Sequence, residues 1–139
     1  MRRFIFLFAI LFLISTVALA QQPTPTATPT IINRSFIALT IPEKDLLPEN
    51  VAFDEVEESF YVGSTRKGKI VKVDKNGKIS DFTTPRQDGL WQVIGMKVDA
   101  KRRILWVCSS MGDNLIGFTR SETSPAGVFK YDLRTGKLH

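Results

Sequence analysis

The sequence predicts an all-β fold built from two consecutive four-stranded antiparallel meanders. The first observation is a repeat: Val51–Ser64 recurs 45 positions later as Met96–Ser109, and Ile70–Asp74 recurs 58 positions later as Val128–Asp132. The second is the alternation of apolar and polar residues past the N-terminal third, which has the period of a half-buried strand. The third is turn chemistry, since glycine, asparagine and aspartate separate the short apolar runs. A self-similar unit of this length is typical of radial repeat folds.

The first unit is predicted to contain four short strands. Aromatic and β-branched residues crowd each of them, which suits a pleated, half-buried surface. Asn76 and Gly77 form a dipeptide typical of tight hairpins and separate the last two strands. The four predicted strands are Val51–Asp54, Ser59–Gly63, Lys69–Val73 and Lys78–Phe82.

The second unit repeats this plan with one longer connection. The link between its second and third strands spans Ser109–Ala126, and the repeat offset grows there by 13 residues. Long loops in compact domains are usually functional or disordered. Because Leu115, Ile116 and Phe118 lie within it, we expect an ordered, packed loop. The four predicted strands are Gly95–Val98, Arg103–Cys108, Gly127–Tyr131 and Lys137–His139.

Residues 1–20 have the layout of a secretory signal peptide. Arg2 and Arg3 precede the apolar run Phe4–Ile14, and Ala18–Ala20 is a small-x-small cleavage site. Cleavage after Ala20 predicts a secreted or periplasmic protein with no further membrane association. An uncleaved N-terminal membrane anchor is the alternative.

Residues 21–35 form a linker rich in proline and threonine. Alternating proline prevents helix formation and regular strand pairing, so an extended tether is expected. Asn33 begins an N-glycosylation sequon, which is either used in a eukaryotic secretory route or a chance occurrence. The predicted folded domain is 36–139.

Charge and composition exclude several classes of protein. The net charge of the whole chain is +5, and removal of Arg2 and Arg3 with the signal peptide lowers it to +3. The remaining cations, such as Lys101–Arg103, are spread over turns and are expected to be solvated, so no nucleic-acid partner is predicted. The single cysteine, Cys108, precludes an internal disulfide and is expected to pack as a small apolar side chain. The only histidine is His139, so no Ser-His-Asp triad can be assembled.

Several phrases resemble the opening blades of a known β-propeller family. Pro48–Asp54, Phe60–Ser64 and Gly68–Asp74 look like the first blade of the senescence marker protein/gluconolactonase/luciferin-regenerating enzyme family, and Met96–Ser109 looks like its next blade. The resemblance implies a six-bladed propeller, of which blade one is about 48–84 and blade two about 90–139. Two blades are too few to encircle an axis. The resemblance therefore predicts an incomplete propeller, whose chain is part of a longer protein or closes its ring by self-association.

The same resemblance implies a metal-dependent hydrolase of sugar lactones, with a calcium or zinc ion near the channel mouth. Glu49 matches the first metal ligand of the family, although an exposed glutamate before a strand is an equal interpretation. The sugar-holding arginine and asparagine of the family are replaced by Gln92 and Ile94. The remaining metal ligands have no counterpart, so this chain alone is expected to be inactive.

The alternative function is non-catalytic binding of a small molecule or a protein partner. The loops at the propeller mouth would carry it, with Arg66 and Lys67 attracting an anion. A solvated turn is the competing interpretation of that pair, and Gln92 is a further tentative ligand contact. Trp91 and Trp106 are expected to pack in the core or between blades.

Overall fold

A computed structural model describes residues 37–120 and 123–139 as one compact unit. The predicted signal peptide, most of the linker and Asn33 lie outside the described residues. Within the described ranges, no helix is long and apolar enough to span a membrane.

The first sheet is a four-stranded antiparallel meander, β1-β2-β3-β4 in order. Its strands are β1 (Pro48–Asp54), β2 (Ser59–Ser64), β3 (Lys69–Val73) and β4 (Ile79–Asp81). The turn from β3 to β4 is closed by Asp74, whose Oδ1 accepts the Asn76 and Lys78 N–H groups at 2.8 and 2.9 Å. All four strands predicted for this unit are present.

The second sheet is also antiparallel and contains three strands, β5-β6-β7 in order. Its strands are β5 (Gln92–Asp99), β6 (Ile104–Ser110) and β7 (Ala126–Asp132). The fourth predicted strand, Lys137–His139, is reduced to a single bridge between Tyr131 and Leu138. A 3₁₀ turn at Gln87–Gly89 connects the sheets. The all-β fold class is thus confirmed, and within the described residues neither sheet closes on itself.

The two sheets repeat each other in backbone detail. The register of β1 against β2 skips Glu49, and that of β5 against β6 skips Ile94, so a β-bulge occurs at the same place in each unit. Glu58 and Arg103 occupy the turns that follow, with positive φ angles of 50° and 58°. Both pairs of positions are separated by the 45-residue offset of the sequence repeat.

The core lies between the two sheets, and the most extensive contact between the sheets is that of β1 with β5. Phe82 packs edge-on against Tyr61, with ring centroids 4.9 Å apart. The sheets approach closely at Gly63, where a Cβ atom would lie 2.5 Å from Val93 Cγ1. The buried core residues are Ala52, Tyr61, Ile70, Leu90, Val93, Leu105, Val107, Tyr131 and Leu133.

Arg103 ties the sheets together through a buried ion pair. Its guanidinium donates to both carboxylate oxygens of Asp54 at 2.6 and 2.7 Å, and to Glu57 Oε1 at 2.6 Å. Burial is the largest single influence and opposes ionisation of Asp54, but the hydrogen bonds and charge of Arg103, together with the backbone N–H groups of Val56 and Glu57, outweigh it and lower the pKa of Asp54. The prediction that the Lys101–Arg103 cations are solvated is therefore wrong for Arg103, since its side chain is buried against Asp54 and Glu57 of the first unit.

Each sheet also has an outward face that carries exposed apolar side chains. The outward face of the first sheet, here called the head face, exposes Val51, Phe53 and Phe60. The outward face of the second sheet, here called the tail face, exposes Trp106, Cys108 and Val128. The core positions predicted for Trp106 and Cys108 are wrong. Strand alternation places both side chains on the outward face of β6, while their neighbours Leu105 and Val107 point into the core.

Candidate binding site at the loop end of the sheets

The sheets have two distinct ends. At the loop end, β1 and β5 begin and the β2–β3 and β6–β7 connections lie; at the turn end lie the β1–β2 and β5–β6 turns. Equivalent serines brace the loop end. Ser64 Oγ donates to the Leu46 carbonyl, and Ser109 Oγ accepts the Trp91 N–H at 2.8 Å. These bonds hold the segment before each first strand against the second strand.

Backbone hydrogen bonds bring three segments together at the loop end. Ile116 N–H donates to the Arg66 carbonyl at 2.8 Å, and Arg86 N–H donates to the Gly68 carbonyl at 2.9 Å. Gly68 has a φ of +59° and lies so close to the Trp91 carbonyl that a Cβ would be 2.7 Å from it. The β2–β3 turn is therefore fixed between the 3₁₀ turn and the β6–β7 loop. Within the described part of that loop Leu115 is buried and Phe118 is half-buried, but Ile116 is exposed, so the packing expected from these three residues is present only in part.

These segments enclose a cleft of about 390 Å³. We call it the loop-end cleft. Pro85 and the exposed Ile116 give it an apolar wall, and the other lining side chains are charged. Its lining residues are Glu43, Lys67, Pro85, Arg86 and Ile116. An apolar cleft with a few convergent charged groups is the usual form of a small-molecule site.

Two of the cations at the loop end are already neutralised. Lys67 Nζ lies 2.8 Å from Glu43 Oε1 and 2.7 Å from the Lys44 carbonyl. Lys69 Nζ is buried between Glu43 Oε2 at 3.0 Å and Asp81 Oδ1 at 2.6 Å. The hydrogen bond from Lys67 lowers the pKa of Glu43. Lys67 therefore lines the cleft as half of an ion pair and not as a free cation.

Arg86 is the cation of the cleft that has no acidic partner among residues 37–120 and 123–139. Its guanidinium lies over the Trp91 ring, 4.3 Å from the ring centroid. Such a cation–π contact orients the guanidinium and leaves its N–H edge available to an anion. Sequence reasoning missed Arg86, because its distance to Trp91 depends on the 3₁₀ turn. The positive φ of 60° at Arg86 belongs to that turn.

The structure places the four residues predicted for the site at the loop end but does not bring them into one cleft. Only Lys67 lines it; Arg66 donates a 3.3 Å hydrogen bond to the Asn114 carbonyl. Gln92 is buried against Gly112, and its Nε2 has no hydrogen-bond partner in the described part of the chain. Glu49 is exposed at the bulge of β1.

The predicted metal site is not completed by the described residues. No group of three or more His, Cys, Asp or Glu side chains that could hold a metal ion occurs in 37–120 and 123–139. Calcium takes six to eight oxygen ligands and zinc about four ligands, which Glu49 alone cannot supply. The side chains around Glu49 therefore do not fit a calcium or zinc ion by themselves.

Comparison with known proteins adds no relative to this picture. No protein-family profile, no curated protein and no solved structure matches the chain. The family resemblance rests on the sequence phrases around Pro48–Asp54 and Met96–Ser109.

Proposed function

We propose that this chain is an exported binding protein whose two sheets are blades of a β-propeller. Three features support the blade interpretation: the order of strands in each meander, the matched bulges at Glu49 and Ile94, and the stacking of one sheet on the next through β1 and β5. A propeller places equivalent loops of successive blades around one mouth. In this chain that mouth corresponds to the loop end.

We further propose that the loop-end cleft binds a small organic anion. The observation that carries this proposal is Arg86, which is stacked on Trp91 and has no acidic partner among the described residues. Its N–H edge can form two parallel hydrogen bonds to one carboxylate. The apolar wall of Pro85 and Ile116 accommodates the carbon part of the ligand, and the Lys67–Glu43 pair offers polar contacts.

The test is calorimetric titration of the purified chain with gluconate, citrate and inorganic phosphate. We expect at least one carboxylate to bind, and Arg86→Gln to weaken it about tenfold, because a hydrogen bond to a charged group contributes about 1.5–3 kcal/mol. Arg134→Gln is the matched control, since Arg134 is exposed at the turn end. Absence of binding by all three anions, or equal affinity in the Arg86→Gln variant, would contradict the proposal.

A second candidate is the metal-dependent lactone hydrolase that the sequence resemblance implies. The observation that favours it is Glu49, whose bulge position leaves the carboxylate exposed at the loop end. In that case Glu49 would be one ligand and the others would come from outside the described residues. The test is hydrolysis of glucono-1,5-lactone with added calcium or zinc, comparing the wild type with Glu49→Gln and with Glu55→Gln as control. A rate equal to that of buffer for the wild type would remove this candidate.

A further inference from the structure

The two outward faces are equivalent to the two faces that already pack against each other in the core. Shifted by the repeat offsets, the head-face residues Val51, Phe53 and Phe60 correspond to Met96, Val98 and Leu105, which lie on the covered face of the second sheet. The tail-face residues correspond in the same way to covered positions of the first sheet. Trp106 corresponds to Tyr61, and Val128 corresponds to Ile70.

This correspondence defines which surface fits which. In the core, the covered face of the second sheet lies on the covered face of the first. The head face is therefore expected to pack against a tail face, as the equivalent covered faces do in the core. Both stay open within the described residues: Val51 is 60% exposed and Val128 is 67% exposed. Exposed apolar patches of this type mark interaction surfaces.

The charges at the turn end also favour contact between a head face and a tail face. In the core contact, Arg103 of the second unit pairs with Glu57 of the first. The residue equivalent to Arg103 is Glu58, and the residue equivalent to Glu57 is Arg102. A head-on-tail contact would thus repeat the Arg103–Glu57 pair with its signs exchanged, while the equivalent of Asp54 is Asp99, which would face Glu58. Arg102 offsets the charge of Asp99 at 2.7 Å, and its side chain is 74% exposed, so it can lie between the two acids.

We propose that copies of this chain associate head to tail, with the head face of one copy on the tail face of the next. Glu58 of one copy then lies beside Arg102 of the other. The contact joins two different surfaces, so it is heterologous and leaves one face of each kind free at the ends of any open chain. It closes into a ring if the rotation between copies allows this, and otherwise extends as a filament. The proposal rests on sheet stacking and is independent of the ligand of the loop-end cleft.

The N-terminal part of the described chain leaves room for this contact. Ala38 and Leu39 line a cavity with Phe53, Phe60 and Val73, so this extended segment lies toward the β3 side of the head face. Val71 and Val73 are buried there, whereas Val51 and Phe53 on β1 remain exposed. In the core it is likewise the first strands, β1 and β5, that make the most extensive contact between the sheets.

The first experiment measures the mass of the full chain in solution, purified after whatever processing its N-terminus undergoes. Light scattering across a dilution series is expected to give a mass of more than one chain that falls on dilution. Val51→Lys blocks the head face and Val128→Lys blocks the tail face, because each would bury an unpaired ammonium in the contact. Each variant alone is expected to be monomeric. Val56→Lys is the matched control, because Val56 is equally exposed in the β1–β2 turn, on neither face.

Mixing the two blocked variants is the decisive step. Val51→Lys retains a tail face and Val128→Lys retains a head face, so an equimolar mixture is expected to form pairs of one copy of each. A contact between two like faces predicts the opposite, since one variant would then pair with itself and mixing would add nothing. Far-ultraviolet circular dichroism checks that each variant is folded; if one is not, Phe53→Lys and Cys108→Lys replace them.

The ion pair gives a third test. Arg102→Glu places two acids together in the contact and is expected to raise the dissociation midpoint about tenfold. Glu58→Arg in the same chain exchanges the signs again and should restore association. A wild type that stays monomeric at every concentration, or a double variant no better than the single one, would overturn the proposal. So would alkylation of Cys108 at a rate independent of concentration, since Cys108 lies on the tail face.

Discussion

Arg103 shows how one turn residue can decide the packing of two sheets. Its guanidinium is buried between Asp54, which has no solvent exposure, and the half-exposed Glu57. Lys72 extends this cluster with a 2.5 Å contact to Glu57 Oε2. Removing one partner of a buried pair is costly because the remaining charge loses its compensation. Arg103 is therefore a determinant of stability and not a solvated turn cation.

We expect Arg103→Met to lower the free energy of unfolding by about 3 kcal/mol, because Asp54 would stay buried without its partner. Lys101→Met, an exposed residue of the same turn, is the control and should change stability by less than about 0.5 kcal/mol. Urea unfolding followed by tryptophan fluorescence measures both. Equal stability of the two variants would mean that the ion pair contributes nothing to the packing of the sheets.

The pH dependence of stability follows from the lowered pKa of Asp54. A carboxyl group whose pKa is lower in the folded state than in the unfolded state stabilises the fold at neutral pH. It loses that contribution as the pH falls through the folded pKa. The gap in stability between the wild type and Arg103→Met should therefore shrink as the pH falls from about 5 through the folded pKa of Asp54, which lies below 3.8. Urea midpoints of both proteins across that range check this, and a constant gap would refute it.

Residue environments were the least predictable part of the molecule. The sequence places an acidic turn at Asp54–Glu58 and a basic turn at the equivalent positions of the next unit. That opposition is a signal for pairing between stacked units, but the pairing depends on which faces meet. The same uncertainty affects Trp106: strand alternation separates it from Leu105 but does not tell which of the two faces is covered.

Among the strands, β2 and β5 control how closely the sheets approach. Gly63 of β2 faces Val93 of β5 with no room for a side chain between them. Interiors pack as densely as organic crystals, so an added methyl group there must move a neighbour. The bulge of β5 lies beside this contact, and a bulge bends the strand that carries it.

We expect Gly63→Ala to destabilise the fold by about 1–3 kcal/mol through overpacking. Gly95→Ala is the matched control, because a Cβ on this strand glycine would find Cys108 Cβ at an ordinary 3.6 Å. The loss of stability in the Gly63→Ala/Val93→Ala double variant should be smaller than the sum of the two single losses by about 0.5 kcal/mol or more, since neighbouring substitutions couple. Thermal or urea unfolding of the wild type, the Gly63→Ala, Val93→Ala and Gly95→Ala variants and the double variant tests this; additive losses would show that the two side chains do not compete for space.

The elements themselves could be predicted because their signals are local. Period-two alternation and the Asn76-Gly77 turn identify all four strands of the first sheet; β3 has the predicted bounds, and the boundaries of the other strands are shifted by at most three residues. The bulges at Glu49 and Ile94 could not be read, because a bulge is defined by the partner strand. The cleft could not be predicted either. Arg86 and Lys67 line the same cleft only because the Arg86 N–H binds the Gly68 carbonyl, and this contact depends on the fold.

At the scale of the whole molecule, the described chain is a pair of stacked sheets with open outward faces. The sequence repeat predicted the two-unit organisation, because its offset is long enough for a complete meander. It did not predict which surfaces pack in the core. That depends on side chains such as Tyr61 and Leu105, whose repeat partners Trp106 and Phe60 are also large and apolar.

The N-terminal segment carries a prediction about the whole protein. If residues 1–20 are a cleaved signal peptide, intact-mass measurement of the exported chain will give a protein that begins at Gln21, because signal peptidase cuts after a small residue. Ala20→Leu should block processing and serves as the comparison. A full-length mass in the membrane fraction of the wild type would instead establish the anchor interpretation.

Different kinds of bond join the two sheets at the turn end and at the loop end. At the turn end the join is ionic, through Arg103 and Asp54; at the loop end it is made by amide groups, such as Ile116 N–H on the Arg66 carbonyl. Protonation weakens only the first kind. Acid should therefore separate the two sheets first at the turn end, while the backbone hydrogen bonds at the loop end still hold them together.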